Sequence, residues 1–173
     1  MKSYINNKTP IACLCYVAFC LLFVTQVSHG HPMSSSQVEV NVLPDSVLLT
    51  LRLPNNRLGA ALSTAPTIGN IPAYVLKNVN VHSQNTEAKV WQQKITQIVE
   101  PDSHNYWQID VTVMPPKGES PNVFDIDYSV ITERIITHKA KFWLMPKGTS
   151  KEVPEFLGTL RGHYTQLSVG ETY

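Results

Sequence analysis

The sequence is poor in cysteine, nearly balanced in charge, and contains a single long apolar run. All three cysteines lie among the first thirty residues, so the other 143 of the 173 contain no disulfide and no thiol nucleophile. Two of the 14 basic residues and none of the 13 acidic residues fall in that first part, which leaves a net charge of −1 for the rest. This balance gives no indication of the clustered Lys and Arg of a nucleic-acid-binding surface. A body of this size forms one ordinary domain.

The apolar run, Ile11 to Val24, follows two lysines and has the length of the hydrophobic part of a signal peptide. It is shorter than the about 20 residues that a membrane-spanning helix needs. Ser28 and Gly30 are small residues two positions apart, as signal peptidase requires. We therefore predict a signal peptide at 1–30 and export to the periplasm or the outer face of the inner membrane. A retained N-terminal anchor helix is the alternative.

Alternating apolar residues predict β-strands along most of the mature chain. Ser36–Leu43 and Val47–Leu53 alternate on either side of the Pro44-Asp45 turn, which indicates a β-hairpin with one buried face. Further strands are predicted in the segments 88–99, 106–114, 124–128, 137–145 and 156–169. The three tryptophans of these segments are expected in the core; they are Trp91, Trp107 and Trp143.

Ile71 to Val81 has apolar residues at helical spacing instead, and Pro72 suits a first helical turn. The segment before it, Asn55–Asn70, is rich in small and polar residues and indicates a loop with a short helical turn near Leu58–Leu62. Together these patterns predict a mainly β fold. We expect an antiparallel, Ig-like β-sandwich of about seven strands with one short helix, forming a single domain over 31–173.

Cleavage after Gly30 makes His31 the first residue of the mature chain. A terminal histidine offers two nitrogen ligands, the free α-amine and the ring Nδ1, and such ligands suit copper or nickel. The α-amine loses its proton near neutral pH because its unperturbed pKa is about 7.7–8. Pro32 leaves this chelate unobstructed, and Met33 adds a thioether that favours Cu(I). The alternative is that His31 is an ordinary chain terminus.

Four more histidines follow in the mature chain, and no two have the short spacing of a closed zinc site. His104 lies in a polar turn, and His163 lies on a predicted strand. His82 ends the predicted helix, where a positive charge stabilises the helix C-terminus. His138 lies in or beside a strand. A structural role is the simpler interpretation for each.

Catalytic signatures are absent from the sequence, which has no Gly-x-Ser-x-Gly, no phosphate-binding loop and no His-Glu-x-x-His. Asp125 and Asp127 alternate on one strand and present two carboxylates to the same face. That pattern is most often the solvent-facing side of a half-buried strand. An enzyme is therefore not predicted, apart from the remote case of copper-dependent oxidation at His31.

Four stretches carry a resemblance to a known family: His-Pro-Met at 31–33, Leu-Arg-Leu-Pro at 51–54, Pro-Pro-Lys-Gly-Glu-Ser-Pro at 115–121 and Thr-His-Lys-Ala at 137–140. They resemble the extracytoplasmic N-terminal region of bacterial HupE/UreJ-like membrane proteins, which are related to nickel permeases. The resemblance implies a periplasmic domain that handles a metal or contacts a membrane partner. It also favours His31, His82 and His138 as a candidate metal site.

Proteins of that class continue into a multi-helix membrane domain, which residues 1–173 do not contain, so the resemblance implies no transport activity. The chain is then either a fragment or a stand-alone relative. Our first hypothesis is an exported structural or interaction module that docks a membrane partner through a strand edge or the proline-rich loop 115–121. The second is an accessory domain that binds copper or nickel through the amine and ring of His31, with help from His138 or His82, and convergence of the three histidines would favour it.

Overall fold

The computed structural model describes residues 34–84, 89–101, 103–146 and 153–170. Within them, nine strands form two sheets, and two short helices lie between the second and third strands. The predicted signal peptide, its cleavage site and His31 lie outside the described residues. The chain divides after Met33 into two units, and the second, Ser34–Tyr173, contains every residue described.

The first two strands form the hairpin that their alternation predicts. Strand β1 (Ser36–Val42) pairs antiparallel with β2 (Val47–Pro54), and Val42 faces Val47 across the turn. The N–H of Leu43 donates to the carbonyl of Ser46 at 2.9 Å and closes that turn. Every second residue of both strands is buried, because successive side chains of a strand point to opposite faces.

The hairpin lies at the centre of a six-stranded sheet. The remaining strands are β3 (Val79–His82), β4 (Gln92–Val99), β5 (Tyr106–Met114), β6 (Phe124–Tyr128), β7 (Lys139–Leu144), β8 (Glu155–Arg161) and β9 (Gln166–Val169). The large sheet has the order β4-β5-β2-β1-β7-β8. Its pairs are antiparallel except β1 with β7, which run parallel and place Ser36 beside Ala140.

The second sheet has three strands in the order β3-β6-β9, all antiparallel. Its central strand buries Phe124, Ile126 and Tyr128. The Tyr128 ring meets Phe142 of the large sheet edge-on, with ring centroids 5.2 Å apart. The inward faces of the two sheets therefore share one hydrophobic core, as in a β-sandwich. The predicted mainly β sandwich is confirmed.

Two helices replace the single one that was predicted. Helix α1 (Asn55–Leu62) fills the first half of the expected loop, and α2 (Ile71–Asn78) has a proline in its first turn, as predicted. The interpretation of Ile71 to Val81 as one helix was wrong at its end, because Val79 begins β3. A β-branched residue favours the strand there, with Val79 paired to Tyr128. Among the described helices, none is both long and apolar enough to cross a bilayer.

Three further sequence expectations are corrected by the fold. The segment 156–169 is not one strand but β8 and β9, separated by a turn in which Gly162 has a φ of 57° and His163 lies exposed. His82 ends a strand rather than a helix, so it caps nothing. Trp91 and Trp107 are buried as expected, but Trp143 is only half-buried because it is on the outward face of β7.

Candidate functional site

His82, the second histidine of the candidate metal site, is on the outward face of the small sheet. Its Nε2 lies 3.2 Å from Oδ2 of Asp127, and its Nδ1 lies 3.3 Å from the carbonyl oxygen of Ser83. Both nitrogens of the ring therefore have polar neighbours within the protein. Strand pairing produces this contact, because β3 and β6 are adjacent and both side chains leave the same face.

His138, the third candidate, is buried at the start of β7 with only 3% of its surface exposed. The backbone N–H of Ser36 donates to its Nε2 at 3.2 Å, and Oγ of Ser36 lies 2.8 Å from the same atom. Because Nε2 accepts from an N–H, a neutral ring carries its proton on Nδ1. Burial lowers the pKa of His138 to about 4, and the positive charge of Arg57 acts in the same direction.

Two tyrosine hydroxyls lie near this pair. The Tyr128 hydroxyl is buried, and burial raises the pKa of that phenol, against a smaller opposing effect of the Ser36 side chain. The Tyr74 hydroxyl accepts the N–H of Ile131 at 2.9 Å. A serine hydroxyl beside a histidine nitrogen resembles a nucleophile with its base. Ser36 is fully buried, however, so the contact joins β1 to the loop before β7 and offers no access to a substrate.

The histidines therefore do not share partners. His82 contacts Asp127 on an outward face, whereas His138 is buried against Ser36. In the described part of the chain, no three His, Cys, Asp or Glu side chains group closely enough to hold a metal ion. His31 lies outside that part, so the copper or nickel chelate at the mature N-terminus stays a prediction.

The two strand carboxylates lie together on the outward face of β6, as their spacing predicts. Asp127 contacts His82, and Oδ2 of Asp125 accepts from the side-chain amide of Gln166 at 3.4 Å. Oδ1 of Asp125 is buried without a hydrogen-bond partner. The carboxylates thus serve mainly as cross-strand contacts of the small sheet.

The proline-rich loop 115–121 is held to the end of β3 by a short polar chain. Ser83 donates to Oε2 of Glu119 and accepts from Nε1 of Trp91 at 3.0 Å. Trp91 in turn packs on Phe124, with ring centroids 5.3 Å apart. Because Ser83 and Trp91 are buried, this loop is attached to the core and does not project as a free arm.

At β8 the large sheet has a terminal strand with exposed apolar side chains beside it, a combination that the sequence did not reveal. Among the described strands, β8 is the last of its sheet and is paired with β7 alone, apart from an isolated bridge between Arg161 and Tyr164. On its outward face Phe156 packs against Trp143, with ring centroids 5.6 Å apart, and still exposes 55% of its surface. Just before the strand, Val153 exposes 85%. We call the end of β8 with these three residues the β8 edge.

Two hollows lie beside the start of β8. A cleft of about 500 Å³ opens at this end of the sandwich, with mostly apolar lining that includes Val42, Leu144, Val153 and Val169. A second, of about 320 Å³, is lined by Trp143, Met145, Val153 and Pro154 together with Gln37 and Glu39. Val153 and Met145 border both hollows. The sequence predicted Phe156 as part of a strand, but not that this strand would be terminal in its sheet.

Comparison with known proteins does not add a family to this description. The chain matches no protein-family model and no curated protein. The resemblance to the extracytoplasmic region of HupE/UreJ-like proteins therefore stays an expectation from the residues, and the function has to be argued from the geometry.

Proposed function

We propose that the chain is an exported β-sandwich module without catalytic activity, which binds an extended segment of a membrane-associated protein along the β8 edge. The observation that carries the proposal is the exposed apolar surface of Phe156 and Val153 at the start of a terminal strand, with two hollows beside it. A partner strand added to such an edge gains main-chain hydrogen bonds, and its alternate side chains enter pockets on opposite faces.

The opposite edge of the same sheet is a poorer candidate. Strand β4 carries Lys94, and a lysine on a terminal strand discourages edge-to-edge pairing. Both terminal strands have a register shift against their neighbour, between Ile95 and Gln97 in β4 and between Phe156 and Gly158 in β8, so this feature does not distinguish them. The hollow nearest to it is lined mainly by polar residues, among them Arg52, Glu100 and Gln108. A partner strand would find few apolar contacts there.

The nature of the partner follows from the surface. Among the described residues that line the two hollows, the charged side chains are Glu39 and Glu155. An uncharged segment with apolar residues at alternate positions fits this lining best. The membrane association of the partner rests on the predicted export and on the resemblance described above.

Site-specific photo-crosslinking in cells that produce the full chain tests the proposal. A crosslinking residue replaces Thr159 on β8 or, as the matched control, Gln97 on β4; both positions are exposed. We expect one membrane-fraction protein to crosslink from position 159 and not from position 97. Phe156→Ser should abolish that crosslink without changing the circular dichroism spectrum.

Three results would overturn the proposal: no crosslink from position 159, equal crosslinking from both edges, or a crosslink that Phe156→Ser leaves intact. A second comparison uses Val153→Ser beside Val99→Ser, which removes an equally sized exposed side chain from β4. Val153→Ser should weaken the crosslink, and Val99→Ser should not. Equal effects of the two variants would mean that the partner does not distinguish the β8 edge from β4.

A further inference from the structure

The opposite end of the β7–β8 pair has a different surface. Lys139 faces Arg161 directly across the two strands, and Lys141 follows one pleat further along β7. Like charges at opposed positions of a sheet repel each other. Within the described residues, no ion pair joins any of these three cations to an acidic side chain. Among the described residues, the positive charge at this end therefore has no acidic partner.

Two large apolar side chains protrude beside these cations. Ile136 exposes 64% of its surface and Tyr164 exposes 74%. The Ile136 side chain lies over Gly162, since a Cβ added there would come within 3.3 Å of its Cγ2. The N–H of Tyr164 donates to the carbonyl of Arg161 at 3.0 Å, so the tight turn carries the tyrosine next to the arginine. We call Ile136, Lys139, Arg161 and Tyr164 the basic tip.

Buried contacts hold the segment that carries Ile136 and Lys139, two of the four residues of the basic tip. The N–H of His138 donates to the carbonyl of Ile135 at 2.8 Å, and the ring of His138 is fixed to Ser36. The N–H of Ile131 is bound by the hydroxyl of Tyr74. Ile136 and Lys139 are thus fixed by neighbours in the chain that are anchored in the core. Apolar side chains exposed on a fixed segment bind a surface at little conformational cost.

From this arrangement we propose that the basic tip docks on an anionic lipid surface, a function beyond the strand-edge binding proposed above and independent of it. Lysine and arginine side chains attract the negative surface of a membrane, and apolar and tyrosine side chains enter its interfacial layer. A bilayer accepts protruding side chains without a matching pocket. Charge complementarity therefore selects the anionic surface, and the exposed Ile136 and Tyr164 favour lipid over a soluble acidic protein.

The two surfaces fit one orientation of the domain. Strand β7 runs from Lys139 at the basic tip to Leu144 at the cleft beside the β8 edge, a distance of roughly 16 Å at the usual rise per residue. With the basic tip on the lipid headgroups, the β8 edge stands above the membrane surface. A membrane-anchored partner reaches it there.

Vesicle co-sedimentation of the mature chain, which begins at His31 after the predicted cleavage, tests the docking. Vesicles of phosphatidylcholine alone are compared with vesicles that contain one third phosphatidylglycerol, at low salt and at 0.5 M NaCl, a concentration that screens surface charges at short range. We expect binding only to the anionic vesicles and only at low salt. Replacing both Lys139 and Arg161 by Gln should weaken this binding by about 10- to 30-fold, as expected for two surface cations.

A matched control replaces Lys94 and Lys117, exposed cations elsewhere, by Gln and should retain the binding. The pair Ile136→Ser and Tyr164→Ser should also weaken it, whereas Val99→Ser should not. The proposal is overturned by equal binding to neutral and anionic vesicles, by no binding at all, or by equal losses in the tip and control variants. Binding to soluble polyglutamate but not to vesicles would instead assign the tip to an acidic protein. None of these readouts depends on the β8 edge.

Discussion

Ser36 and His138 are separated by 102 positions in the sequence, yet Oγ of the serine lies 2.8 Å from Nε2 of the histidine. The contact is made where the parallel pair of β1 and β7 begins, since Ser36 is the register partner of Ala140. Both side chains are buried, so the hydrogen bond is shielded from water. It ties the first strand of the large sheet to the loop that presents the basic tip.

Stability should fall between about pH 6.5 and pH 4 because of His138. The folded state holds its pKa at about 4, below that of the unfolded chain. In this interval the unfolded state binds a proton that the folded state does not, so the free energy of unfolding rises with pH. The contribution of His138 is fully present above about pH 6.5. The loss at pH 4 should be on the order of 2–3 kcal/mol. Urea denaturation at a series of pH values measures it.

The control for this prediction is a second histidine. His138→Gln should flatten the pH dependence while lowering stability at neutral pH, whereas His163→Gln, in an exposed turn, should leave the profile unchanged. An unchanged profile in the His138 variant would show that other groups cause the acid sensitivity.

Gly170→Ala should destabilise the domain strongly. Gly170 has a φ of 106°, and an added Cβ would come within 2.5 Å of the backbone oxygen of Asn122. Backbone strain and the clash together should cost about 3 kcal/mol or more. Gly118 has a φ of 90° with nothing within 4 Å of a Cβ, so Gly118→Ala isolates the strain and should cost about 1 kcal/mol. Equal losses in the two unfolding curves would contradict the role of the close approach.

Ser83→Ala should lower the free energy of unfolding by about 1–3 kcal/mol. The change leaves Nε1 of Trp91 without its acceptor and releases Glu119, which Ser83 binds. Because Glu119 belongs to the loop 115–121, hydrogen exchange of that loop should also accelerate. Ser168→Ala, at an exposed position of β9, is the matched control and should change neither quantity. Exchange rates that stay at the wild-type level would mean that other contacts hold the loop.

Any copper or nickel binding by the mature chain should depend on His31 alone. Nε2 of His138 is committed to Ser36, and Nε2 of His82 lies beside Asp127. An alanine inserted before His31 separates the terminal amine from the imidazole and should abolish tight binding in calorimetric titrations. His82→Gln should leave the affinity unchanged. A loss of metal affinity in the His82 variant would instead support a site that includes His82 together with His31.

The sequence by itself determined the strands with strict alternation. The predicted bounds are confirmed for Tyr106–Met114 and Phe124–Tyr128. The alternation of buried and exposed side chains in a strand does not depend on which strand it pairs with. It also determined the first hairpin, whose turn residues lie between two alternating runs. The mainly β class followed from these elements, and the buried positions of Trp91 and Trp107 followed with it.

Only the tertiary structure decided the rest, because those features depend on pairing between distant segments. Val79 lies at helical spacing from Val75 and Leu76, but it pairs with Tyr128 as the first residue of a strand. The same pairing brings His82 to Asp127, and the parallel pairing of β1 with β7 brings Ser36 to His138 and buries both. The order of strands in the large sheet also makes β8 terminal and leaves Phe156 exposed. No local pattern specifies this, because alternation determines which face of the sheet a side chain is on but not which strand lies beside it.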